Sequence, residues 1–502
     1  MAKYFSESGL YWRPLGGNNI DQISGHCYQY TDVVISEKAP KATTILVDLG
    51  KFDNHQALGI KNSVAAVPDI RELLQSPFLE PEAIFLTHSH PDHLNGIVHY
   101  VKAGICLPRL FGGRYTKLIL EGLYDTYNIA ENSRPIFNVV NAGDKIALGS
   151  LKIEVLASSH TCLDSFGLLI ESASGVCVYH TGDMKTDNST VFRKPTNLKY
   201  LQSLNGKIDF VVADFYNAAS DSFATKEIDI YKKLVEIINN TDRKKIFIPV
   251  YPTHTEMYMI AFLAALKTKK NIVFYGNQDF YGYLNLIEKC DIDFKFLAKN
   301  RIDVAIGLDE AKVANFDDFV VVGTFNSIDA WFDVTEGNSV AIITSGTFFN
   351  PLRGFLNARN ITFVDVDKYP ILQGNGHGGW RDIEAINTAL GAPIFIPTHC
   401  PSYIIDNCRK LAQYTGVKVA TPTAKNNHLY KLDKNNFSEI DGKPANWLVA
   451  KRVDQSIEFV EVWQQPTSGK GFLKRTLSDR RSKKNFEIML QVRKKHGNQK
   501  MY

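Results

Sequence analysis

Three imidazoles and a carboxylate fall close together at His88, His90, Asp92 and His93, directly after the apolar run Ala83-Ile84-Phe85-Leu86. Histidine is the commonest neutral metal ligand at cellular pH and aspartate adds a hard oxygen, so the set suits zinc or manganese better than calcium or an iron-sulfur cluster. His88 and His90 are one residue apart and turn the same way off an extended strand end. Asp92 and His93 then open a helical-looking stretch running to Tyr100, which lets them face a second ion. An exposed polar loop would explain one histidine here. It does not explain four donors at HxHxDH spacing.

Further donors follow at the ends of other apolar runs. His160 stands after Ile153 to Ala157, where it can complete the first ion's histidine set. Asp183 stands after Val176 to His180, and a carboxylate there can bridge two cations. His399 follows Ile394 to Pro397. Any one of these alone reads as a turn residue. Their shared placement past strand ends brings them to one edge of a sheet.

The elements that must carry them are short strands in the first half: Thr44 to Asp48, Ile84 to Thr87, Ile153 to Ala157, Phe166 to Ile170, Val176 to His180 and Phe210 to Ala213. From about residue 222 helices and strands alternate, with Ile228 to Ile238, Lys245 to Val250, Glu256 to Lys267, Asn271 to Tyr275 and Phe319 to Gly323. That rhythm predicts parallel βαβ units. Strands follow at Val340 to Thr344, Ile361 to Val364 and Ile394 to Pro397. Two more are expected at Asn446 to Ala450 and Ser456 to Val462, then a basic helical end at Phe486 to Lys495.

At 502 residues the chain exceeds one ordinary core, so two or three domains are expected. Its 44% hydrophobic and 22% charged residues are those of a globular protein. A net charge of +4 is weak, but basic residues crowd Lys470 to Lys500, a stretch suited to polyanions or to solvent. The seven cysteines are scattered without a CxxC pair, which suggests a reducing compartment. Neither a secretory leader nor a run of roughly 20 apolar residues is present, so a cytoplasmic location is expected.

The order His88, His90, Asp92, His93, His160, Asp183, His399 resembles that of the metallo-β-lactamase superfamily. The 216 positions between Asp183 and His399 leave room for an inserted domain, which is similar to the β-CASP branch of nucleases. In detail the chain resembles the ribonuclease J family. Supporting segments are Pro14-Leu15-Gly16-Gly17, Val47-Asp48-Leu49-Gly50, Val67-Pro68-Asp69-Ile70, His160 through Asp164-Ser165-Phe166-Gly167 to His180-Thr181-Gly182-Asp183, Gly376-His377-Gly378 and Pro397-Thr398-His399. The resemblance spans about residues 10 to 425.

It implies an α/β fold: a metallo-β-lactamase αββα sandwich over 1–205 and 366–435, a β-CASP α/β domain over 206–365, and a small basic C-terminal α+β region over 436–502. It implies two zinc ions, or manganese, with His88, His90 and His160 on one, Asp92, His93 and His399 on the other, and Asp183 bridging. Asp92, Asp183, Asp214 and His377 are the implied catalytic set, and His377, Gly378 and Ser165 the implied substrate contacts. The function expected is hydrolysis of single-stranded RNA, exo- or endonucleolytic, by a hydroxide that two ions activate. His399 favours RNA over DNA, since DNA-repair members carry an aliphatic residue there. The rivals are a DNA nuclease, a small-molecule hydrolase on the same metals, and an RNA-binding scaffold. The chain departs from ribonuclease J at Thr344 to Pro351, where a Gly-Ser-Gln-Gly type loop is missing, and at Gly379-Trp380 beyond His377. These departures bear on recognition of a 5′-phosphate and on exonuclease activity. Phe348, Phe349 and Trp380 are candidates for stacking on bases, or core. Homodimerisation through the C-terminal region, or RNA contact by it, is a further expectation.

Overall fold

The computed structural model describes residues 5–18, 24–37, 39–52, 63–191, 193–242, 245–276, 278–307, 319–324, 339–344, 350–400, 405–420, 423–434, 436–442, 446–453, 456–464, 472–476 and 491–492. Two mixed sheets lie face to face. The first runs, edge to edge, Asn436–Gly442, His428–Asp433, Gly9–Gly16, Cys27–Val34, Lys41–Val47, Pro81–Leu86, Arg109–Gly112 and Phe137–Val139. The second runs Lys418–Val419, Ile394–Thr398, Phe210–Asp214, Cys177–His180, Phe166–Glu171, Leu151–Ala157 and Lys145–Leu148.

Side-chain alternation sets the layers. Ile45, Val47, Ala83 and Phe85 of the first sheet share a buried cluster with Ile153, Val155, Leu168, Val178 and Val212 of the second. Their odd-even neighbours turn outward. Leu46, Ile84 and Leu86 pack with Ile97 of helix Gly96–Lys102 and Ile119 of helix Arg114–Thr126, while Tyr179, Val211 and Phe395 pack with Ile383 and Ile386 of helix Trp380–Leu390. Helices therefore cover both outer faces of a two-sheet sandwich.

A third sheet, wholly parallel, runs Val304–Ile306, Asn271–Tyr275, Phe319–Thr324, Lys245–Val250, Ser339–Ile342 and Thr362–Val364. The helix-strand alternation of the sequence anticipates it. The boundary expected at 206 is corrected, because Phe210–Asp214 is a central strand of the second sheet, parallel to both Cys177–His180 and Ile394–Thr398. Its unbroken apolar run suits a strand buried on both faces. The chain leaves the sandwich only after Asp214. The boundary at 436 also moves, since Asn436–Gly442 closes the first sheet as the antiparallel partner of His428–Asp433.

Beyond it, the two expected strands are present as Asn446–Val453 and Ser456–Gln464; they pair with each other, and the first also pairs with Ser63–Pro68. Arg71 secures that junction, reaching Asp69 at 2.7 Å and Glu461 at 2.5 Å. The basic helix expected at Phe486 to Lys495 lies outside the described residues except for Gln491–Val492, which pair as a strand with Phe472–Thr476. Among the described residues no helix is long and apolar enough to cross a membrane.

The excursion is clamped to the sandwich beside Asp183. Thr255 Oγ1 and the Glu256 amide, opening helix Thr255–Thr268, both donate to the Thr161 carbonyl. Lys185 Nζ donates to Glu256 at 3.1 Å and lies 3.7 Å from Glu227, and Arg193 reaches both carboxylates. Lys185, Glu227 and Glu256 are buried, and the Arg193 side chain is 5% exposed. Removing one cation from such a group strands the carboxylates, which costs about 3–5 kcal/mol. Lys185→Ala is expected to lower the urea midpoint accordingly, and a midpoint within error of the unaltered chain would show the clamp to be dispensable.

Candidate metal centre

Five of the donors sit just past the C-terminal end of a strand. His88 and His90 follow Pro81–Leu86, His160 follows Leu151–Ala157, Asp183 follows Cys177–His180, and His399 follows Ile394–Thr398. Asp92 and His93 ride on the short helix Pro91–Leu94, which His90 precedes in extended conformation. His399 adopts a left-handed backbone at φ 49°. A non-glycine residue there is strained, and its amide bond to the Gly17 carbonyl helps hold it.

The donors gather into two groups that share Asp183. In the first, ligand atoms of His88, His90, His160 and Asp183 all lie within 4.8 Å of one another. Thr87 Oγ1 contacts His88 Nδ1 at 3.0 Å, and the Gly376 carbonyl lies 2.9 Å from His160 Nδ1. Gly376 is required for that approach, because a Cβ would stand 2.5 Å from the imidazole. In the second, His93 and His399 come together, and with them His26, which sequence reasoning missed. Asp92 Oδ2 lies 3.6 Å from His26, 3.7 Å from His93 and 4.0 Å from His399. Asp183 turns one oxygen to each group: Oδ2 is 3.7 Å from His88 and 3.6 Å from His160, while Oδ1 is 3.4 Å from His93 and 3.3 Å from His399.

Asp48 supports this arrangement from beneath. Its backbone is left-handed (φ 61°), and its carboxylate accepts from the Thr87 amide at 2.7 Å and Thr87 Oγ1 at 2.9 Å while holding His93 Nδ1 at 2.8 Å. Asp214 plays a similar part on the other side, 2.7 Å from His377 Nδ1. It also accepts from the amides of Met184 and Tyr216. His377, Asp214, Asp183 and His399 are themselves within 4.8 Å of one another by their ligand atoms. The Tyr216 ring covers both histidines, with centroids 4.6 Å from His377 and 4.9 Å from His399.

The charge states fit a cation site. Burial holds the imidazoles of His88, His160 and His26 well below their usual pKa, and that of His90 down at about 3, so these rings are neutral and able to ligate. Burial also opposes charge on His93, but Asp183, Asp92 and Asp48 outweigh it and raise the ring well above its ordinary value. Burial works against ionised Asp183 too, and His93, His399 and His377 nevertheless keep it well below the usual carboxylate range. His88 Nε2, His93 Nε2 and His26 Nε2 are buried with no hydrogen-bond partner. Buried polar nitrogens left unpaired are costly, and divalent cations would satisfy them. The donor set therefore fits divalent metal.

Other expected contacts fall elsewhere. Ser165 is buried, its hydroxyl on the Cys162 carbonyl, and it lines a separate cavity of about 270 Å³ with Arg114, Arg193 and Lys194. It is not brought to the donors. The neighbouring Asp164 accepts from the Tyr115 and Thr116 amides and so caps helix Arg114–Thr126. The Gly378 amide already donates to Met184 O at 2.7 Å. Trp380 is fully buried, 6.1 Å from Phe215 with its indole nitrogen on Thr415, so it is core and not a stacking surface. Ser345 to Phe349, with the two candidate phenylalanines, lie outside the described residues.

The layers and the strand-end donors define a metallo-β-lactamase-fold domain, and residues 64–214 match the family model described as a beta-lactamase superfamily domain. The curated relatives are more particular. The chain is 24% identical over 234 residues to ribonuclease J of Mycobacterium tuberculosis (strain CDC 1551 / Oshkosh), covering 46% of this chain and 40% of that protein. It is 22% identical over 279 residues to ribonuclease J of Synechocystis, covering 55% and 41%, and 27% identical over 227 residues to that of Helicobacter pylori (strain 26695), covering 45% and 30%. The matched region is thus under half of each relative's length. A crystal structure of a protein of unknown function from Enterococcus faecalis V583 superposes with a TM-score of 0.55 at 17% identity, covering 86% of this chain and 100% of that one. It shares the fold.

Groups that orient metal-binding histidines are worth about 10- to 100-fold in metal affinity. Asp48→Asn is expected to weaken divalent-metal binding by that factor, as read by competition with a chromophoric chelator. Unchanged affinity would contradict a supporting role for Asp48 against His93 and Thr87.

Proposed function

We propose that this chain is a metal-dependent ribonuclease that hydrolyses phosphodiester bonds of single-stranded RNA. The observation that carries the reading is Asp183, one oxygen toward each of two histidine groups, near the contacts that join the sandwich to a parallel α/β excursion. The likeness to ribonuclease J supports RNA as the polymer. We read the excursion as a β-CASP domain between Asp214 and helix Trp380–Leu390, and the protein as cytoplasmic and able to dimerise through its C-terminal strands.

His88, His90 and His160 would hold one zinc or manganese ion and Asp92, His93 and His399 the other, with Asp183 between. When bound, such ions would supply a water of lowered pKa and positive charge to offset that building on phosphorus. The residues do the rest. Asp214 fixes the His377 ring by Nδ1, leaving Nε2 for the substrate side. Burial lowers the pKa of His377, but Asp214 and Asp183 more than compensate and raise it to about 9. The ring is thus a cation at neutral pH and can give its proton to the departing ribose oxygen. Tyr216 narrows the entrance over His377 and His399, which helps to exclude water.

The test is cleavage of matched single-stranded RNA and DNA oligonucleotides, with 5′-phosphate or 5′-hydroxyl ends, in zinc or manganese. RNA should be cut, and Asp183→Ala should lose more than the roughly hundredfold that a supporting group is worth. Stepwise shortening of 5′-phosphorylated RNA alone assigns an exonuclease, and internal cuts indifferent to the end assign an endonuclease. Preference for DNA, or no cutting of either polymer, overturns the proposal.

A second prediction concerns pH. A raised pKa means the proton is present at low pH and lost as pH rises through it, so kcat should fall on the basic side. His377→Gln should reduce kcat by about 10²–10⁴ and abolish that basic limb. A variant retaining the limb would remove His377 from proton transfer.

A further inference from the structure

His26 opens onto the second histidine group although it belongs to none of the spaced motifs. It follows Gly25 and precedes strand Cys27–Val34, and its backbone is tied to the donor loops on both sides: its amide donates to the Asp92 carbonyl at 2.8 Å, and its carbonyl accepts from the Gly50 amide at 2.9 Å. Gly50 and Gly17 permit this packing. A Cβ on Gly50 would stand 1.6 Å from Asp92 O, and one on Gly17 2.4 Å from His26 Nδ1. The His26 ring stacks on His93 with centroids 4.1 Å apart and meets His399 edge-on at 4.3 Å.

The two ring nitrogens have different surroundings. His26 Nδ1 is hydrogen-bonded to the Tyr28 hydroxyl at 2.7 Å. His26 Nε2 is buried without a hydrogen-bond partner, 3.6 Å from Asp92 Oδ2. Ligand atoms of His26, His93 and His399 all lie within 4.8 Å of one another. A buried imidazole nitrogen left unpaired beside a carboxylate and two further imidazoles suits a cation. One ring nitrogen held by a polar partner with the other free is also how metal-bound histidines are oriented.

We propose that His26 is a ligand of the second metal ion, through Nε2, beside His93 and His399. The inference rests on the two-ion reading of the centre. It makes the second position as rich in imidazole as the first, so both prefer zinc or cobalt to manganese or magnesium, which favour oxygen donors.

The full chain, stripped of metal, is titrated with zinc against a chromophoric chelator and, separately, with cobalt(II) followed by its visible absorption. The unaltered chain is expected to take two ions. His26→Ala should bind one of them at least about tenfold more weakly and lose cobalt absorption intensity, and added imidazole should restore both. His26→Gln keeps a hydrogen-bonding side chain without an imidazole, and should behave as the alanine variant does. It also carries the test if the alanine variant does not fold, with retention of the first ion as the check on folding. Two ions bound by either variant with unchanged affinity and spectrum would overturn the assignment, as would a glutamine variant indistinguishable from the unaltered chain. These readouts need no RNA: a chain that binds two ions through His26 and cuts no RNA sinks the ribonuclease reading and leaves the ligand assignment standing.

Discussion

A buried carboxylate between two sets of buried imidazoles is the constraint on which the centre depends. Asp183 is only 4% exposed and has histidine nitrogens within 4 Å of both oxygens. Taking these groups out of water is unfavourable unless each lone pair and charge is matched. The protein matches the outer nitrogens itself, with Thr87 on His88, Asp48 on His93, Gly376 on His160 and Tyr28 on His26. The inward Nε2 atoms of His88, His93 and His26 have no hydrogen-bond partner, and cations would satisfy them.

The fold serves that constraint by ending its strands together. Parallel neighbours in the second sheet bring Asp183, Asp214 and His399 to one edge, and the first sheet delivers Asp48 and the His88 to His93 loop from the facing layer. The excursion after Asp214 then returns through Gly376 and His377, so the same segment that leaves the sandwich closes over its donors. Lys185, Arg193, Glu227 and Glu256 fasten the root of that excursion next to Asp183.

Much of this was legible in the residues. The strands before His88, His160, Asp183 and His399 were visible as short apolar runs, and the parallel third sheet as alternating helical and strand periods. What was not legible had a common cause: it depends on pairing between distant segments. The run Phe210 to Ala213 is a strand in either domain, and only its two parallel neighbours place it in the sandwich. Asn436–Gly442 likewise acquires its sheet from its partner. His26 is a lone histidine ahead of a strand, a pattern that usually means a core residue, and its placement is set by Asp92, His93 and His399 far along the chain. Ser165 went in the opposite direction, since proximity to motif residues in sequence did not bring its side chain to the donors, while Trp380 took the core alternative of its two readings.

Anomalous diffraction from crystals of the chain grown with zinc, recorded on either side of the zinc absorption edge, tests the two-cation centre most directly. Two peaks are expected, one beside Asp183 Oδ2 among His88, His90 and His160, the other beside Asp183 Oδ1 among His93, His399 and Asp92. A single peak, or peaks not bridged by Asp183, would contradict it.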